Sequence, residues 1–102
     1  MKIHKIIPTE DYYAEKTENF LDGNVLISKQ RIFITYPGYG DMLEVSIDGQ
    51  YCYYPDQERI ALNCGYNDYK EFFDHYVEIC EEKGAFSGFI LHFTNSKYLN
   101  NG

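Results

Sequence analysis

The chain has 102 residues, sixteen acidic and nine basic, with a formal net charge of −7, so it has the length of one domain and the wrong sign for gripping nucleic acid directly. Hydrophobic residues make up 44% and charged residues 25%, which excludes a disordered chain. No stretch approaches the ~20 apolar residues of a membrane-spanning helix, and MKIHKIIPTEDYY lacks the hydrophobic run of a secretory signal, so a cytoplasmic protein without a membrane partner is expected.

Lys2 to Ile7 reads as a short strand ended by Pro8. Thr9 to Leu21 reads as a helix or helical turn, with Thr9 as cap, Glu10 and Asp11 in the first turn and Asp22-Gly23 as the stop. From Asn24 to Cys64 the pattern is an antiparallel meander with four turns: Lys29-Gln30, Pro37 to Gly40, Asp48-Gly49 and Pro55 to Arg59. These turns pair Val25 with Ile34, Ile27 with Ile32, Ile34 with Leu43, Ile32 with Val45, Val45 with Cys52, Leu43 with Tyr54, and Cys52 with Leu62. One face then collects Val25, Ile27, Ile32, Ile34, Leu43, Val45, Ile47, Cys52, Tyr54, Ile60 and Leu62. A slip of one residue would turn a strand inside out, so agreement across four turns supports that face as the core side. The other face, with Leu26, Arg31, Phe33, Thr35, Glu44, Ser46, Tyr51, Tyr53, Ala61 and Asn63, is polar with an aromatic cluster.

Asn67 to Lys83 is the strongest helical segment. Phe72, Phe73, Tyr76, Val77 and Cys80 recur at spacings of three and four, Asn67 stands where a cap belongs, and Lys83-Gly84 is a normal stop. Ala85 to Thr94 is a last strand, apolar on both sides and therefore central or covered. The expected architecture is a single α+β domain over residues 1–102. It comprises an antiparallel meander of five to six strands with one main amphipathic helix, about 68–83, packed on one face.

The side chains that carry chemistry do not assemble in the sequence. His4, His75 and His92 are far apart and none has a partner at metal-ligand spacing, so no metal is expected. Cys52, Cys64 and Cys80 are odd in number, form no CxxC and lie in apolar patterns, as reduced packed thiols do. A Cys/His enzyme would need a pocket joining His92 or His75 to a nucleophile; Cys80 could come close to His92, yet Glu78, Glu81 and Glu82 around Cys80 disfavour a thiolate. Tyr36 to Asp41 is glycine-rich but lacks the lysine and spacing of a phosphate loop, which makes it a hairpin turn with Tyr39 at its tip. With no nucleophile, cofactor cradle or metal set, a non-catalytic binding protein without cofactors is expected.

Eleven tyrosines are too many to bury, and tyrosine is a common interface residue. Aromatic area beside carboxylates suits an Arg/Lys-rich protein partner, and the residues expected to make contact are Tyr39, Asp48, Tyr51, Tyr53, Asp56 and Glu58, with Asp48 placed beside Asp56 and Glu58 on the acidic rim of one end of the sheet. The helix acids Asp74, Glu78 and Glu81 form an alternative patch. The function read from these features is that of a small acidic inhibitor, an immunity protein that neutralises a bacterial toxin, a basic nuclease by class. The alternatives are a phage-type anti-defence protein that imitates nucleic-acid charge, and a small enzyme using a Cys/His site. A charge of −7 is mild for a charge mimic.

Overall fold

A computed structural model describes residues 3–14 and 20–99. Among these, the chain runs β1 (His4–Pro8), α1 (Thr9–Ala14), β2 (Ser28–Thr35), β3 (Glu44–Ile47), β4 (Gln50–Cys52), α2 (Tyr54–Asn63), α3 (Tyr69–Lys83) and β5 (Phe86–His92). The five strands form one open sheet in the order β1-β5-β2-β3-β4, every neighbour antiparallel. The α+β class expected from the sequence is therefore correct, with β5 as the well-covered inner strand.

The helix α3 forms as its residues dictate. The Asp68 carboxylate accepts the Glu71 amide at 3.0 Å, and the Glu71 carboxylate reaches back to the Asn67 amide at 3.2 Å. This reciprocal cap satisfies donors that a helix start leaves unpaired, and it moves the cap one residue on from Asn67. Gly84 ends the helix at φ 90° and donates to the Cys80 carbonyl. The buried stripe of Tyr69, Phe72, Tyr76 and Cys80 meets Ile32, Ile34, Val45 and Ile47 from the sheet, Phe86 and Ile90 from β5, and Ile60 and Ala61 from α2. On the opposite face Ile7, Phe89 and Leu91 form a second, smaller cluster under Tyr12, Phe20, Leu21 and Leu26. The helix expected over Thr9 to Leu21 is confined to α1 among the described residues; residues 15–19 lie outside them.

The Asp48-Gly49 hairpin is present with both residues at positive φ, 51° and 83°, and it pairs Val45 with Cys52 as the sequence implied. Three other turn readings need correction. Lys29-Gln30 is not a hairpin: β2 passes straight through it, because neither residue favours the positive φ that a two-residue turn demands. Val25 and Ile27 therefore leave the core side and are exposed. The loop after β2 is longer than four residues, and Ile34 pairs with Val45 and Ile32 with Ile47. That is a shift of two, which keeps every side chain on its expected face. Finally, Pro55 to Arg59 opens a helix. Proline is tolerated at a helix start, where its missing N–H would have no partner, and Asp56 follows in the first turn. Gln57, Ile60 and Ala61 are buried at helical spacing, which leaves Tyr54 and Leu62 exposed rather than in the sheet core.

Gly88 marks the tightest point of the sheet. A Cβ there would run into the Ile7 carbonyl oxygen and lie 2.7 Å from the Phe86 ring. Gly88→Ala should cost about 1–3 kcal/mol, read as a lower urea midpoint with an unchanged slope.

Candidate functional site

The tyrosines expected at the surface are there. Tyr39 is 76% exposed, Tyr53 69% and Tyr51 46%, and the Tyr51 and Tyr53 rings meet edge to face at 4.7 Å. Tyr51 stands on the outward side of β4, since Cys52 turns into the core, and Tyr53 follows it into the start of α2. A shallow depression of about 250 Å³ joins Tyr51 to Tyr39 through Gly40, Asp41, Met42 and Glu44.

Asp41 and Met42 also belong to a larger cleft of about 700 Å³. The amino-terminal ends of α2 and α3 and the loop before β3 enclose it. Tyr54, Tyr69 and Phe73 supply aromatic wall, and Asp41, Glu58, Asp68 and Asp74 supply carboxylates. The Tyr54 ring leans on Tyr69 at 5.0 Å, and its hydroxyl donates to Glu58 at 3.2 Å. Tyr69 is held from behind, where its hydroxyl donates to Gln57 Oε1 and accepts the Leu43 amide at 3.2 Å. Gln57 is fully buried and donates to the Leu43 and Cys52 carbonyls, so α2 is pinned to the ends of β3 and β4. The Tyr54 hydroxyl is held above the ordinary phenol range by desolvation, then by the Glu58 and Asp41 charges. Burial does the same to Tyr69.

The sequence-expected acids divide by position. Glu58 and Asp74, named in separate patches, share the cleft. Asp56 pairs with Arg59 at 2.9 Å and Asp74 with Lys70 at 2.7 Å, so each is partly neutralised on the surface. Glu78 and Glu81 are exposed on α3 and line none of these depressions. Asp48 does not share a rim with Asp56 and Glu58. It turns β3 into β4 at the end of the sheet opposite the β2–β3 loop, and its carboxylate accepts the Arg31 amide at 2.9 Å and the Gln30 side-chain amide at 3.0 Å. Its charge stabilises a hairpin. Asp41, Tyr54, Tyr69 and Phe73 were missed because the cleft exists only once α2 is a helix.

A second polar assembly is buried between the strands and residues 63–98. Gln30 donates to Asp48 and to the Tyr98 carbonyl at 2.7 Å, while its Oε1 accepts the Tyr98 amide at 2.8 Å and lies 2.9 Å from His92 Nε2. With its amide nitrogen committed, Gln30 is the acceptor for His92. His4 lies 2.6 Å from the Tyr98 hydroxyl through Nε2 and 3.2 Å from Cys64 Sγ through Nδ1. Desolvation, with the neighbouring His92, pushes His4 down to about 4, and burial lowers His92 as well. Cys80 and His92 do not bond each other: Cys80 reaches the Ile34 carbonyl at 3.5 Å, and burial raises its thiol pKa. Burial likewise pushes the Cys52 thiol up to about 12. Among the described residues no group of three or more His, Cys, Asp or Glu is placed to hold a metal, and no helix is long and apolar enough to cross a membrane.

Comparison with protein-family models, with curated proteins and with solved structures returns no match.

Proposed function

We propose that this chain is a small acidic binding protein that inhibits a basic protein partner by covering it, most concretely an immunity protein against a bacterial toxin of the nuclease class. The reading rests on one observation, the run of exposed aromatic and acidic side chains from Tyr53 and Tyr51 through Tyr39 and Asp41 into the cleft of Tyr54, Glu58, Phe73 and Asp74. Tyrosine supplies rigid contact area at low entropic cost, and carboxylates beside it suit guanidinium and ammonium groups. A net charge of −7 steers a cationic partner toward this surface before contact.

The reading expects a basic nuclease toxin to be encoded beside the gene for this chain, and that toxin is the partner to test. The protein should bind that toxin and restore growth to cells expressing it, with association slowed by added salt. Combined Tyr53→Ala and Glu58→Ala should weaken binding by roughly 30-fold, about 2 kcal/mol. Unchanged affinity in that variant would remove the surface from the reading. Competition of the target by free DNA, with no toxin bound, would favour the charge-mimic alternative.

A further inference from the structure

The cleft at the amino-terminal ends of α2 and α3 has a volume of about 700 Å³, within the ~300–1,000 Å³ of small-ligand sites. Its aromatic wall is a corner rather than a plate. Tyr54 meets Tyr69 at 5.0 Å with their planes at 66°, and Tyr69 meets Phe73 at 6.3 Å and 41°. The corner is fixed from behind. The Tyr69 hydroxyl is spent on Gln57 and the Leu43 amide, which locks that ring in place. The Tyr54 hydroxyl donates to Glu58 one turn along α2, at 3.2 Å, so ring and carboxylate are held together.

The charge of the cleft selects a cation. Asp41, Glu58, Asp68 and Asp74 line it with a single base, Lys70, and Asp74 already holds that base at 2.7 Å. Each helix start contributes only about half a positive charge, and at α3 Asp68 answers it by accepting the Glu71 amide. The carboxylates outweigh both. Asp41 is left open: among the described residues it makes no hydrogen bond or ion pair. Desolvation, then the Glu58 and Asp41 charges, raise the Tyr54 hydroxyl, and Asp41 acts on Tyr69 as well. Two carboxylates thus flank the aromatic corner.

We propose that this cleft takes one arginine side chain of a basic protein partner, its guanidinium lying on the corner of Tyr54, Tyr69 and Phe73 and donating to Asp41 and Glu58. The occupant rests on the function proposed above; the preference of the cleft for guanidinium does not. Arginine suits the cleft better than lysine for two reasons. A guanidinium is planar and weakly hydrated, so it stacks on rings, whereas an ammonium keeps its water. It also carries five donors in a fixed fork, enough to serve two carboxylates at once.

The probe is Nα-acetyl-argininamide, which has no carboxylate of its own, titrated into the native full chain and followed by NMR. It should bind with a Kd on the order of 1 mM and move the ring signals of Tyr54, Tyr69 and Phe73 together. Nα-acetyl-lysinamide should bind about fivefold more weakly, and Nα-acetyl-citrullinamide, the uncharged isostere, should give no saturating shift. Asp41→Asn and Tyr54→Leu should each weaken binding of the arginine probe about fivefold. Both side chains are exposed, and the amide spectrum of each variant checks its fold. Equal binding of the arginine and citrulline probes, or shifts that avoid the three rings, overturns the site. The same variants measured against the toxin separate this inference from the function. Toxin affinity that survives both substitutions overturns the arginine anchor and leaves the inhibitor reading standing. A chain that takes the arginine probe but no basic protein overturns the occupant together with that reading.

Discussion

Phe72→Ala should lower the unfolding free energy by about 3–5 kcal/mol, a large part of what a domain of this size has. Phe72 is fully buried, with the Tyr76 ring at 4.8 Å, Tyr66 at 5.5 Å and Tyr69 at 5.9 Å. Those neighbours cannot close over the vacated space. Tyr69 is tied by its hydroxyl to Gln57 and the Leu43 amide, and Tyr76 is packed on Phe86. The loss is therefore the transfer term plus an unrelaxed cavity. Urea unfolding followed by far-UV circular dichroism should show the shift, with Phe73→Ala as the comparison. Phe73 is only half-buried at the cleft, so its removal should cost clearly less. Equal losses in the two variants would mean that α3 is not seated on the sheet through Phe72.

Acid should weaken the fold through His4. Its pKa falls from 6.5 in the unfolded chain to about 4 in the native state, so the native protein binds this proton less readily. The stability it contributes is full above pH 6.5. It declines as pH drops from 6.5 toward 4, a range in which the unfolded state takes up the proton before the native state does. The difference is about 3 kcal/mol at ~1.4 kcal/mol per pKa unit. His92, lowered by the same burial, adds in the same direction. Unfolding free energies at pH 7 and pH 4 should differ by at least this amount beyond the carboxylate contribution. His4→Gln should be less stable at pH 7 yet lose about 3 kcal/mol less on acidification. Parallel pH curves for the two proteins would show that His4 titrates normally.

What could be read from the sequence was what neighbouring residues decide. The helix α3 carries its own cap, stripe and stop within residues 67–84, and Asp48-Gly49 carries the positive φ its turn requires. The failures have nonlocal causes. Tyr51 to Leu62 alternates well enough to pass for a strand and return, because Ile60 and Leu62 mimic period two. The buried partner that makes it a helix, Gln57, is polar and so invisible to an apolar pattern. The tyrosine surface survived that error because Tyr39, Tyr51 and Tyr53 lie outside α2, whereas the cleft beside it depended on α2 and went unseen. Cys64 and His4 stand sixty positions apart and meet because β1 docks beside β5 and the Ile3 amide bonds the Asn63 carbonyl.

The position of β5 has a consequence for how the molecule is made. It is the last of the five strands in the sequence, yet it separates β1 from β2 and supplies the longest pairing in the sheet. During synthesis β2, β3 and β4 can pair with one another, but β1 has nothing to pair with until residues 86–92 emerge. Closure then joins segments some eighty residues apart, which raises the contact order and slows folding relative to a chain held by local contacts.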